Sequence, residues 1–335
     1  RLFSESFEND IVETSLNDLS FRKGSEFWAN YPLGVLWSLK EAGLAPSSGF
    51  ELILTTDLPL AAGLSSSAAV ELATALALLQ LGGHKLGKSD LARLCRRAEN
   101  DFVGLPCGIL DQGVSAYGEK DHLVLIDCEK ENFSTLPLPQ NTCLWIFDTG
   151  IKHDLVDSLY ATRHSECSQA LKLLKKREPA LPCLAAASEG LLTSADIPDL
   201  LSKRTRHVIE ETARVDRAIE LLRDEAPPKE IGQLLFASHA SSRDLFENSC
   251  PELDFLVDDL RGHPSVLGAR LTGGGFGGAV LAWTEHEFSQ TEAKGVAATF
   301  RKQFGNDPQI HQFEASRGAR ITDPLEKPDH RFSAN

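Results

Sequence analysis

One run of small residues constrains this chain more than any other: Leu58-Pro59-Leu60-Ala61-Ala62-Gly63-Leu64-Ser65-Ser66-Ser67-Ala68-Ala69. The residues before it, Phe50 to Asp57, alternate apolar and polar and read as a strand. The Ala/Leu-rich residues after it, Ala68 to Leu81, read as a helix. A small-residue loop between a strand and a helix presents backbone N–H groups at the helix N-terminus, where the dipole favours anions. Gly63 permits a tight turn, and Ser65, Ser66 and Ser67 add three hydroxyls. One serine suffices to cap a helix. Three in succession point instead to a site for phosphate oxygens and a metal ion.

The rest of the chain is ordered around that loop. Phe27, Trp28, Tyr31, Leu33, Val35, Leu36 and Leu39 suit an amphipathic helix within Glu26–Ala42, with Pro32 implying a break or a late start. By periodicity alone Trp28 and Tyr31 are core residues. Gly82-Gly83 ends the helix after the loop, and Ser89 opens another, running from Asp90 to Phe102. Glu99 falls late in that helix, as either a solvated residue or a metal ligand facing the serines. The segment Gly104 to Gln112 is rich in turn residues, and there Asp111 reads first as a helix cap.

Strands are expected at His122–Asp127, Cys143–Asp148, Val266–Thr272, Ala279–Trp283 and Gln309–Phe313, and helices at Asp154–Lys176, Lys203–Arg223 and Pro228–Phe246. Strands and helices mix without a regular βαβ alternation, so the expected class is α+β. Pro137 and Pro139 mark the expected boundary between a domain of residues 1–140 and one of residues 141–335.

Two literal motif matches lack their structural context. Gly82 to Ser89 fits the P-loop pattern, but a helix-forming run precedes it where a strand is required. Gly273, Gly275 and Gly278 fit the dinucleotide pattern, but a strand follows where a helix is required. Close backbone approach, to a neighbouring segment or to the phosphate loop, is the better reading of those glycines.

Charge limits the partners. The chain carries 48 acidic against 34 basic residues, a net charge of −14, which disfavours nucleic acid or an anionic membrane. Its seven cysteines are scattered and include no Cys-x-x-Cys pair, as in a cytoplasmic protein with reduced thiols. No signal peptide or run of eighteen apolar residues is present.

With these residues in view, the chain resembles the kinase family named after galactokinase, homoserine kinase, mevalonate kinase and phosphomevalonate kinase, and within it the galactokinase branch. The resemblance rests on Trp28-Ala29-Asn30-Tyr31, Leu58 to Ala69, Gly104 to Gln112, Lys152 to Tyr160 and Thr272 to Gly278. Leu110 stands where this pattern usually has Met. The resemblance implies a two-domain fold with an N-terminal ribosomal-protein-S5-like domain, a C-terminal ferredoxin-like α+β domain and an active site between them. It implies ATP-dependent phosphorylation of galactose at O1 by a monomer, with N-acetylgalactosamine kinase or a non-catalytic galactose sensor as alternatives.

The resemblance also assigns roles. Ala62, Gly63, Leu64, Ser65, Ser66 and Ser67 would hold ATP, and Ser67 and Glu99 would hold Mg²⁺. Asp111 would take or orient the proton of the C1 hydroxyl, Gly108 and Tyr160 would contact the sugar, and Trp28 and Tyr31 would line the adenine site. Galactokinases also carry an N-terminal Gly-Glu-His-x-Asp-Tyr motif preceded by arginine, which grips the sugar. Residues 1–57 contain no such motif. The expectation is that Arg1 lies just beyond it, and that the residues given bind galactose weakly by themselves.

Overall fold

The computed structural model describes residues 1–7, 11–58, 64–152 and 156–322, without the side chains of residues 152 and 156–158. The chain divides into two compact units. One comprises Arg1–Pro137 and the chain from Ala315 onward; the other is Leu138–Glu314.

In the first unit, strand β1 (Leu2–Ser4) lies near the N-terminus. A 3₁₀ turn, Gly24–Ala29, leads into helix α1 (Asn30–Glu41). Pro32 therefore sits in the first turn, where its missing N–H costs no intrahelical bond. Strand β2 (Leu52–Leu54) pairs parallel to β1, Leu2 with Leu52. Helix α2 (Ser66–Leu81) begins two residues before the expected Ala68. It is followed by α3 (Lys88–Arg97), which continues as a π-helical turn, Ala98–Val103, and by α4 (Leu110–Tyr117). Ser89 does not cap α3: it lies inside the first turn and its hydroxyl pairs with Tyr117 Oη at 2.6 Å.

Apolar side chains from all four helices form the core, among them Val35, Leu39, Leu72, Ala75, Leu78, Leu91, Cys95 and Ala116. Each large side chain so buried stabilises the unit by about 1.5–3 kcal/mol relative to exposure. The α2 sequence is apolar almost all round, which suits a helix enclosed by others.

Strand β3 (His122–Asp127) and strand β4 (Asn132–Pro137) form an antiparallel hairpin. The sequence reading contains no β4, and the pairing of His122 with Pro137 explains why the unit extends to Pro137 and not to residue 140. A second correction concerns the C-terminal region, which was expected to lie wholly in the second domain. Gly318 N donates to Gly118 O and Ala319 N to Ser115 O, each at 2.7 Å, which fastens this segment to the first unit.

The second unit is built on a four-stranded antiparallel sheet in the order β6-β7-β5-β8. Strand β5 (Thr142–Lys152) is followed by helices α5 (Val156–Leu174), α6 (Glu189–Ser194), α7 (Asp199–Arg223), α8 (Pro228–Ser241) and α9 (Pro251–Arg261). Strands β6 (Val266–Thr272) and β7 (Gly277–Glu285), helix α10 (Gln290–Phe304) and strand β8 (Gln309–Phe313) complete it. One core joins Trp145 and Phe147 of β5 and Val280 of β7 to Leu253, Leu256, Val296 and Phe300 of α9 and α10. A second cluster joins Ile231 of α8 to Leu267 and Trp283. A Cβ added to Gly268 would lie 2.0 Å from Gly232 O, so α8 meets β6 backbone to backbone. All seven cysteines are free thiols. Among the described residues no helix is long and apolar enough to cross a membrane.

Candidate functional site

Residues 59–63 lie outside the described residues, so Ala62 and Gly63 have no structural account here. The described end of the loop is informative. Ser65 is the residue before α2 and adopts a left-handed conformation, φ 55° and ψ 36°. Its side chain makes no capping hydrogen bond. Among the described residues no hydrogen bond engages the hydroxyls of Ser65, Ser66 or Ser67. The helix N-terminus therefore carries free hydroxyls beside its N–H groups, the arrangement that suits an anion.

One turn along α2 from Ser67 stands Glu71, fully buried in a helix whose other residues carry no charge. Its position is set by an i, i+4 relation to Ser67. Gln112 Nε2, from α4, donates to Glu71 Oε2 at 3.1 Å and to Glu99 Oε2 at 2.7 Å. Cys107 Sγ donates to the same Glu99 oxygen at 3.3 Å. Glu99 lies in the π-helical turn and is itself buried. Asn100, its neighbour, holds the Cys107 backbone in both directions, accepting from its N at 2.7 Å and donating to its O at 3.2 Å.

Electrostatics follow from this enclosure. Burial, with the Glu99 charge adding to it, pushes the Glu71 carboxyl up to about 9, so Glu71 carries its proton at neutral pH. Asp111 contributes a smaller push in the same direction. Burial and Glu99 also raise the Cys107 thiol to about 12, which leaves it unreactive. Tyr31 is raised to about 12 by burial, then by Glu99 and Glu71, and so faces this acid cluster.

A proton bound in the folded state and lost in the unfolded one links stability to pH. Glu71 contributes its full stabilisation below its ordinary value of 4.5, and that contribution is lost as pH rises toward 9. Relative to Glu71→Gln, which does not titrate, the wild-type protein should lose about 3 kcal/mol between pH 6 and pH 8. Urea unfolding of both proteins at the two pH values checks this; a constant difference contradicts it.

Asp111 is the second residue of α4 and half-buried, and the helix has no side-chain cap, so Asp111 is not the cap. Its carboxylate lies in the first turn, where the helix dipole favours negative charge. Gly108 is exposed, with open space where a side chain would stand. Trp28 is 7% exposed and packs with Leu2, Val12 and Leu33, its ring stacked on Phe7 at a 6.0 Å centroid distance. The first unit thus brings together Tyr31, Glu71, Glu99 and Asp111 through contact or charge. Sequence reasoning named Tyr31, Glu99 and Asp111 but missed Glu71 and the bridging Gln112. The available signal was a lone acid in an otherwise uncharged helix.

Of the side chains quoted from the Lys152-to-Tyr160 motif, only Tyr160 is described. It belongs to the second unit, is 53% exposed, and its ring lies over Gly274: a Cβ there would meet it at 3.5 Å. The glycine cluster is a turn between β6 and β7 and opens no helix, which removes the dinucleotide reading. Its backbone approaches a neighbouring segment: Phe276 N donates to Asn248 O at 2.7 Å, and Asn248 Nδ2 donates to Gly274 O at 3.2 Å. Arg163, three residues after Tyr160, donates to Phe246 O and Glu247 O and lies over the Phe276 ring. Glu166 receives Arg163 and the fully buried Arg204, which also reaches Glu247 at 2.8 Å.

Among the described residues no group of three or more His, Cys, Asp or Glu side chains could hold a metal ion. Mg²⁺ takes as few as one or two protein oxygens and completes its shell with water and phosphate. Glu99 Oε1 and the Ser67 hydroxyl are hard donors with no hydrogen bond among the described residues.

Comparison with known proteins gives this geometry its class. Residues 30–119 match the GHMP kinases N terminal domain and residues 218–306 the GHMP kinases C terminal domain. The chain belongs to the GHMP kinase family and is a phosphotransferase. It is 38% identical to the galactokinase of Thermotoga maritima over 87% of this chain and 81% of that protein. It is 36% identical to the galactokinase of Glaesserella parasuis over 93% of this chain and 82% of that one. The structure of Lactococcus lactis galactokinase complexed with galactose superposes with a TM-score of 0.88 at 31% identity, covering 95% of this chain and 82% of that one.

Proposed function

We propose that the protein transfers the γ-phosphoryl group of ATP to O1 of α-D-galactose, giving galactose 1-phosphate and ADP. The observation that carries this reading is the similarity to galactokinases over most of the chain, joined to a pair of buried acids, Glu71 and Glu99, held by Gln112 next to Asp111 in the chain. Leu64, Ser65 and Ser66, with Ala62 and Gly63, hold the triphosphate through backbone N–H groups and hydroxyls. Ser67 and Glu99 hold Mg²⁺, which when bound neutralises charge on the phosphates. Tyr31 lines the adenine site, Trp28 backs it from the core under Phe7, and Gly108 contacts the sugar.

Asp111 accepts the proton of the C1 hydroxyl as O1 forms its bond to the γ-phosphorus and the bond to the ADP oxygen breaks. Phosphoryl transfer asks the protein mainly for position and charge neutralisation, so one carboxylate to take the hydroxyl proton and a helix end to hold the phosphates are sufficient equipment. The Glu71 proton keeps a further negative charge out of a site that must receive a nucleotide. A cytoplasmic monomer is part of the same proposal, supported by the acidic balance and unpaired thiols.

The test is kcat/KM of the full-length protein for galactose against N-acetylgalactosamine. Galactose should be preferred by at least tenfold. Equal values, or preference for the N-acetyl sugar, would replace galactose as the substrate. Binding of galactose without any ADP release would identify a sensor instead.

A further inference from the structure

We propose that Glu71 and Gln112 form a clasp that positions the two acidic residues of the reaction, Asp111 and Glu99. This rests on the reading of Asp111 as base and Glu99 as Mg²⁺ ligand. Neither Glu71 nor Gln112 touches a substrate in that reading; both act through their neighbours.

Three elements that are distant in sequence meet at one amide group. Gln112 Nε2 bridges Glu71 on α2 and Glu99 on the π-helical turn, and Gln112 is bonded directly to Asp111 in the first turn of α4. The helix that starts at the phosphate loop is thereby tied to both carboxylates. Cys107 Sγ adds a second donor to Glu99, and Asn100 fixes Cys107 by two further bonds.

The clasp has a cost that packing alone does not justify. Glu71 and Gln112 are fully buried, and Glu71 Oε1 and Gln112 Oε1 have no hydrogen-bond partner. A leucine at position 71 would match the flanking Leu72, Ala75 and Leu78 of the core without that desolvation cost. Polar groups held so deep set orientation, here within hydrogen-bond reach of Glu99 and one residue from Asp111. A carboxylate displaced by about 1 Å from its productive position loses on the order of 10²-fold in rate. The clasp therefore acts on kcat and on Mg²⁺ use, while the sugar contacts stay in place.

The experiment compares full-length Glu71→Leu, Glu71→Gln, Gln112→Leu and Gln112→Asn with the parent, recording kcat, both KM values and the Mg²⁺ concentration for half activity. Glu71→Leu and Gln112→Leu should lower kcat at least tenfold and raise the Mg²⁺ requirement, with KM for galactose changed less than threefold. Glu71→Gln keeps an acceptor oxygen for the Gln112 amide and should stay within threefold of the parent. The double variant Glu71→Leu/Gln112→Leu should be no worse than either single one, since both break the same clasp. If the leucine variants do not fold, Gln112→Asn decides: its shorter amide cannot span both carboxylates, and kcat should again fall at least tenfold. Unchanged kcat in Gln112→Asn or in either leucine variant overturns the proposal, as does an equal loss in Glu71→Gln and Glu71→Leu. Asp111→Asn is assayed beside them: if it stays active, the base assignment has failed; if it is inactive while the others are unaffected, the clasp alone has failed.

Discussion

Asp111→Asn should lower kcat by about 10²–10⁴-fold while leaving nucleotide binding within a few-fold of the parent. Asparagine keeps the shape of the side chain and its place in the first turn of α4, but it cannot take a proton. The groups proposed to hold the nucleotide belong to a different element, the N-terminus of α2, and the substitution does not touch them. Calorimetric titration with an ATP analogue measures binding, and a coupled ADP assay measures turnover. Simultaneous loss of both would mean that Asp111 supports the fold instead of the reaction. Retention of both would remove it from the chemistry.

Gly275→Ala should destabilise the protein by about 3–5 kcal/mol and lower its melting temperature accordingly, as read by calorimetry. Two independent costs act at this position. Gly275 has φ +81°, which L side chains avoid, and a Cβ would lie 2.1 Å from Asn248 O, a backbone atom with little room to move. That carbonyl also accepts the Phe276 N–H at 2.7 Å, so relief of the overlap breaks the bond that anchors the turn. Gly273→Ala has a positive φ but nothing within 4 Å of the added carbon, and it should cost markedly less. Equal costs for the two would show that backbone strain, and not the approach of Asn248, fixes the glycine there.

How much of this was legible in the sequence depended on how local the determining physics was. The helix after Ser65 was readable because a long apolar run follows the serines directly, whereas of the strand expected over Phe50–Asp57 only Leu52–Leu54 forms. The β6–β7 hairpin was readable from two apolar runs separated by glycines. Strand β4 was not, because it begins at Asn132, ends at Pro137 and carries Ser134 and Thr135 between, and it exists as a strand only by pairing with β3. Helix α9 does carry local start signals, Pro251 at its first position and the acids Glu252 and Asp254 in its first turn. The return of residues 315–319 to the first unit carries no periodicity at all; it is fixed by backbone bonds to Ser115 and Gly118.

At the site, Asp111 and Glu99 stood out through motif and position, but what connects them did not. A lone glutamate in a helix reads as solvated until its environment is known, and Gln112, the amide that Glu71 shares with Glu99, lies 41 residues away along the chain. Gln112 was in view throughout as part of a motif, yet no spacing rule predicts that one amide serves two buried carboxyls. Local patterns thus located the reacting groups, and tertiary packing supplied the residues that hold them.

The measurement that bears most directly on the central claim is the identity of the product. ³¹P NMR of the full-length protein incubated with ATP, Mg²⁺ and galactose should show a phosphate resonance coupled to the anomeric proton, growing in step with ADP. A phosphate on another hydroxyl, ADP without any sugar phosphate, or no turnover would contradict the assignment of Asp111 and the serine loop to transfer onto galactose O1.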